Sequence, residues 1–75
     1  MDLQKFIADF ADQFDETDPS EITAETKFHD LEEWSSLVAL SIISMVDDGM
    51  DKRLTGADLR SCSTIEELFN LVEAK

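Results

Sequence analysis

The sequence predicts an all-α fold: a small four-helix bundle of three main helices plus one short helix, with a long loop between helices one and two. Three observations carry this. Apolar residues recur at helical spacing in three separate windows. Serine, threonine or aspartate with capping chemistry stands before the later helices. No window alternates with period two and ends in hairpin chemistry, so no strands are expected. The 75 residues correspond to one domain, residues 1–75, with a thin core. An apolar content of 43% is enough for that core and too high for a disordered tail.

Leu3, Phe6, Ile7, Phe10 and Phe14 fall at i, i+3, i+4, i+7 and i+11, the stripe of an amphipathic helix. Asp2, Gln4, Lys5, Asp9, Asp12 and Gln13 take its other face, and the helix is expected over about residues 2–14. Asp15-Glu16-Thr17-Asp18 breaks the pattern. Asp18-Pro19-Ser20-Glu21 then offers a cap, a proline at the first helical position and an acidic third residue, which predicts a single short turn. Ile22, Phe28, Leu31 and Trp34 are spaced too irregularly for helix or strand and read as anchors that tack the long loop onto the core. His29 with Asp30, Glu32 and Glu33 matches no metal-ligand spacing; a solvated acidic loop is the expectation.

Helix two is expected over about residues 36–50, with Leu37, Leu40, Ile43, Val46 (or Asp47) and Met50 as its core stripe. Val38, Ala39, Ile42 and Met45 make the rest apolar too, relieved only by Ser41, Ser44, Asp47 and Asp48. A helix apolar nearly all round, in so short a chain, is expected to leave one apolar strip exposed. Ser35 is placed to cap this helix by accepting from the free N–H of Leu37 or Val38. Ser36 then falls on the first turn with its hydroxyl free of capping duty. A free hydroxyl at the positive end of a helix is a natural attachment point for a phosphate-linked group. Plain capping by a serine pair accounts for the same two residues.

Gly49 and Gly56 bracket a connector, and Asp47-Asp48-Gly49-Met50-Asp51 fails as a calcium loop because its glycine comes too early and no glutamate closes it. Thr55 caps a short third helix buried through Leu54 and Leu59. Ser63 and Thr64 each have a glutamate three residues on, the start of a last helix with Ile65, Leu68, Phe69, Leu71 and Val72, ending near residue 74.

The formal charge of −12, with only six Lys and Arg, argues against nucleic acid and against an anionic membrane surface. It suits docking to basic patches on other proteins. The single Cys62 can form no internal disulfide and is expected to be a half-buried structural thiol. No apolar run approaches a membrane span and the start lacks a basic region, so a cytoplasmic monomer is the expectation. With one His, one Cys, no Tyr and two isolated glycines, catalysis by this chain alone is not expected. A carrier or binding module remains, its chemistry supplied by an attached group.

Phe28-His29-Asp30-Leu31-Glu32-Glu33-Trp34-Ser35-Ser36-Leu37, followed by a helix ending Val46-Asp47-Asp48, resembles the acyl carrier protein family. The likeness extends to length, acidity and helix order across essentially the whole chain. It implies that Ser36, the serine that precedes Leu37, carries 4′-phosphopantetheine, donated from coenzyme A by a phosphopantetheinyl transferase. It further implies that the arm's thiol holds acyl groups as thioesters for partner enzymes of fatty-acid, lipid or polyketide-type biosynthesis. The docking surface implied is Ser35, Leu37, Val38, Ser41, Met45, Asp47 and Asp48, with no metal. The loop anchors and helix two could part to shelter an acyl chain.

Three positions depart from the family pattern. Ser35 replaces the motif's aspartate, Glu33-Trp34 stands where a glycine is usual, and Val38 and Ser41 occupy sites where acidic residues commonly project. They point to a dedicated partner set. Asp30, Glu32 and Glu33 are expected to oppose a phosphate on Ser36, so that the site tolerates it without gripping it. Two other readings stay open: an unmodified acidic helical adaptor that binds a partner through helix two, and an aminoacyl or peptidyl carrier, which the acidic surface disfavours.

Overall fold

A computed structural model describes residues 2–75. Four helices, α1 (Leu3–Ala11), α2 (Ser36–Met50), α3 (Gly56–Ser61) and α4 (Ile65–Glu73), pack around one core, and a long connection joins α1 to α2. This is the all-α bundle expected, within 29 × 23 × 20 Å.

Asp2 caps α1 by accepting from the Lys5 N–H at 2.7 Å. The helix ends at Ala11, three residues short of the expected end. Gln13 and Phe14 donate back to Phe10 and Ala11 in tighter i−3 bonds, so Phe14 still reaches the core. Asp12, Asp15, Glu16 and Asp18 crowd the negative end of the helix dipole with no basic residue in its last turn, which opposes further helix. Phe10 is the hub of the core. It lies 5.6 Å from Phe28 edge-on, 5.6 Å from Phe14 and 6.4 Å from Trp34 with nearly parallel rings.

The connection is held by the anchors named from sequence: Ile22 and Phe28 are buried, and Leu31 and Trp34 pack partly buried against the core. A 3-10 turn, Pro19–Glu21, forms with Asp18 accepting from Ser20 N–H at 2.9 Å. A second 3-10 turn, Phe28–Asp30, follows. Between them the chain pairs with the start of α4: Ile65 and Glu66 N–H donate to Thr26 and Ala24 carbonyls at 3.3 and 3.0 Å, and Lys27 and Thr64 form one isolated antiparallel bridge.

The residues of α2 match the expected range, and of the expected stripe Val46 is buried and Ile43 and Met50 pack partly buried on the core, but Leu37 and Leu40 do not. Val38, Ile42 and Val46 are the buried residues, whereas Leu37 is 74% and Leu40 62% exposed. The first half of the expected stripe, Leu37 and Leu40, therefore faces outward, and Val38 and Ile42 take the inner line. On an α-helix Leu37 shares its line with Ser41, Ser44 and Asp48. Burying the two leucines would have buried those polar residues too. The helix closes on Asp51 in the left-handed region (φ 55°), its N–H donating to the Asp47 carbonyl at 3.1 Å; an aspartate, not a glycine, takes that conformation.

Thr55 caps α3 in a reciprocal capping box with Asp58. Leu54, Leu59 and Cys62 are buried. At α4 the capping box forms on Thr64 and Glu67, with Glu67 also accepting from Ser63 N–H at 2.7 Å. Ile65, Leu68 and Val72 are fully buried. No helix among the described residues is long and apolar enough to cross a membrane.

Candidate functional site

The junction of the long connection with α2 gathers the candidate residues. Ser35, in extended backbone, accepts the Val38 N–H at 3.3 Å and is the N-cap. Ser36 is the first helical residue and exposed. Its hydroxyl has no hydrogen-bond partner among the described residues, because the cap bond belongs to Ser35. The division of labour expected for the pair, one serine capping and one free, is the arrangement in the structure.

Glu33, three residues before Ser36, is tied to the stretch that follows α1. Its carboxylate accepts from three successive backbone N–H groups, Asp15 at 2.6 Å, Glu16 at 2.9 Å and Thr17 at 2.8 Å, and from the Thr17 hydroxyl at 2.8 Å. Three consecutive amides aimed at one anion form a nest. Partial desolvation pushes Glu33 upward, but these donors together outweigh it and hold its pKa below the ordinary glutamate value. The solvated acidic loop expected here is corrected at this residue: Glu33 is half-buried and pins the end of the loop to the stretch after α1.

The side chains of this stretch line two clefts. Asp30, Leu31, Glu32 and Glu33 line one, together with Glu16, Thr17 and Glu21. His29, Trp34, Ser35 and Ser36 line another of about 360 Å3, together with Ala39 of α2 and Gly56, Leu59 and Arg60 of α3. The carboxylates expected to oppose a phosphate on Ser36, those of Asp30, Glu32 and Glu33, line a cleft that Ser36 does not share.

Arg60 was not singled out from sequence. Its guanidinium folds back over the first turn of α3, where a β-carbon built on Gly56 would stand 3.4 Å from Nη1. It pairs with no described carboxylate. Asp58, the one acid of α3, is taken by Lys75 at 3.0 Å, and the Lys75 hydrogen bond is the main reason Asp58 is held below its ordinary pKa. A signal was available: no acid stands three or four residues from Arg60 on either side. His29 is held edge-on to Trp34, 5.5 Å between ring centres, and 4.3 Å from Phe28.

The residues expected to form a docking surface are divided. Leu37, Asp47 and Asp48 are exposed, and Leu40, expected in the core, joins them. Ser35 is exposed but committed as the cap. Ser41 is half-buried and turns its hydroxyl to the Leu37 carbonyl at 3.2 Å. Met45 is half-buried against the core, and Val38, at 8% exposure, is part of it and presents nothing to a partner. Val38 belongs inside because it continues the β-branched line of Ile42 and Val46 at four-residue spacing.

Searches of protein-family models, curated proteins and solved structures find no match to this chain.

Proposed function

We propose that this chain is an acyl-carrier-like domain whose Ser36 bears 4′-phosphopantetheine. The observation that supports this most directly is the Ser36 hydroxyl: exposed, on the first turn of α2, and released from capping by Ser35. In the transfer, Ser36 Oγ attacks the phosphorus of coenzyme A that carries the pantetheine. A new O–P bond forms, the pyrophosphate P–O bond breaks, and adenosine 3′,5′-bisphosphate leaves while the serine proton passes to a base of the transferase. The residues around Ser36 fit the group, since none of those lining its cleft is acidic. When attached, the arm supplies a terminal thiol that holds acyl cargo as a thioester. A tethered thiol reaches successive partner sites at high effective concentration. Exposed Leu37 and Leu40 beside Ser36, with Asp47 and Asp48 further along α2, give partner enzymes an apolar contact and an acidic rim to meet with basic patches.

The test is intact-mass measurement after incubation with coenzyme A and a broad-specificity phosphopantetheinyl transferase. One phosphopantetheine is expected on the wild type and on Ser35→Ala, and none on Ser36→Ala. Loading that survives Ser36→Ala and disappears in Ser35→Ala overturns the assignment of the site. The exposed Leu37–Leu40 strip favours one second reading, an unmodified adaptor that docks this strip into a partner's groove. Refusal of loading by several transferases, with a stoichiometric partner lost on Leu40→Asp, is the result that reading predicts.

A further inference from the structure

Resting on that reading, we infer that the phosphate end of the arm is seated in the cleft between His29 and Arg60, with the Arg60 guanidinium as its counter-ion. In a chain of net charge −12, a cleft at Ser36 lined without a single carboxylate and with one arginine is a selective arrangement of charge. Arg60 forms no ion pair with a described acid, so pairing with an incoming anion breaks nothing. The guanidinium presents a fork of N–H donors suited to two phosphate oxygens. The His29 imidazole carries an N–H in either neutral tautomer and stands on the same cleft. Trp34, Ala39 and Leu59 are the apolar surfaces along which the first carbons of the arm lie once the phosphate is held. The arm therefore leaves Ser36 along the α2–α3 side, and α3 contributes a specificity residue for the prosthetic group through Arg60.

The experiment uses loaded and unloaded protein for the wild type, Arg60→Gln, Arg60→Lys and Arg53→Gln, each verified by intact mass. Arg53 lines a different cleft, beside Leu40 and Asp47, and is the internal control. Trp34 is the only tryptophan, so its indole N–H is a single resonance that reads the wall of the cleft, and the phosphorus resonance reads the group itself. Loading is expected to shift the indole signal in the wild type and in Arg53→Gln. The shift is expected to shrink severalfold in Arg60→Gln, to return in part in Arg60→Lys, and to fade in 1 M salt, where the screening length is about 3 Å. Full loading with indole and phosphorus signals identical in the wild type and Arg60→Gln overturns the seat and leaves the carrier reading standing. Absence of loading on the wild type overturns both.

Discussion

The two clefts at the start of α2 are built from alternate pieces of the same short stretch, yet they carry opposite character. His29 lines one and Asp30 the other; Leu31, Glu32 and Glu33 return to the acidic cleft, and Trp34, Ser35 and Ser36 to the one that Arg60 lines. Composition alone assigns the whole stretch to a solvated acidic loop. The fold instead sorts it by two devices, a 3-10 turn on a buried Phe28 and a carboxylate locked into a nest of amides. Net charge is thus a poor guide to the field at a particular hydroxyl. A domain that repels anions almost everywhere can still offer one anion a paired place.

The largest effect on this arrangement is expected from Phe28→Ala. Phe28 is fully buried against Phe10 and Trp34 and supports the turn that separates His29 from Asp30. Truncation of a buried phenylalanine costs about 3–5 kcal/mol. Small domains have a stability of only several kcal/mol. Urea unfolding should therefore show a partly or largely unfolded variant, with both clefts lost together. A variant of near-native stability would mean that the two clefts do not hang on this anchor.

Glu33→Gln comes next and should act on one cleft only. The amide keeps the shape, but its one oxygen cannot serve all four donors from Asp15, Glu16 and Thr17, and its NH2 would face at least one N–H. Because the folded-state pKa of Glu33 lies below its ordinary value, its stabilisation is complete above the ordinary glutamate range and is lost as pH falls through the folded-state value. Asp18, Asp58 and Glu67 are held low as well, so the substitution should reduce the acid lability without abolishing it. Hydrogen exchange should quicken at the amides of residues 15–17 while the Trp34 indole signal on the other cleft stays in place. Equal disturbance of both would deny their independence.

Ser35→Ala separates the cap from the attachment point. Loss of a serine N-cap costs about 1 kcal/mol. Chemical denaturation should register that loss, and loading of Ser36 should continue.

How much of this was legible beforehand follows from where each signal resides. The helices α1 and α4 have clean amphipathic stripes, and Phe6, Phe10, Ile65, Leu68 and Val72 are buried as their spacing requires. The loop anchors were legible because large apolar residues with no period still need a core to enter. Along α2 the leucines mislead at the start of the helix, where Ser41, Ser44 and Asp48 mark the outer line on which Leu37 also lies, whereas Val46 enters the core as its spacing requires. The nest around Glu33 left no periodic trace, since its donors lie 16 to 18 residues away. Arg60 was visible only as a cation without a partner at helical spacing. Its position opposite Ser36 depends on how α3 packs, which no local pattern encodes.

The smallest effects are the charge deletions, and they are the ones that read the two fields directly. Glu32 is exposed, makes no hydrogen bond to a described residue and shares its cleft with Glu16, Glu21, Asp30 and Glu33. Removing its charge as Glu32→Gln relieves like-charge repulsion, so the Tm of the unloaded protein should rise slightly at low ionic strength. Arg60→Gln removes a cation from a protein of net charge −12, and its Tm should fall slightly under the same conditions. Both shifts should collapse in 1 M salt, where the screening length drops to about 3 Å from about 10 Å at 0.1 M. The wild-type Tm should itself rise with salt as self-repulsion is screened. After loading, Arg60→Gln should lose more than it does unloaded, because the phosphate then adds a partner for the arginine. Glu32→Gln should change less on loading than Arg60→Gln, since the cleft it lines is not the one that holds Ser36. Loading-dependent shifts of equal size at both positions would show that the phosphate feels one diffuse acidic field, and the contrast between the clefts would be gone.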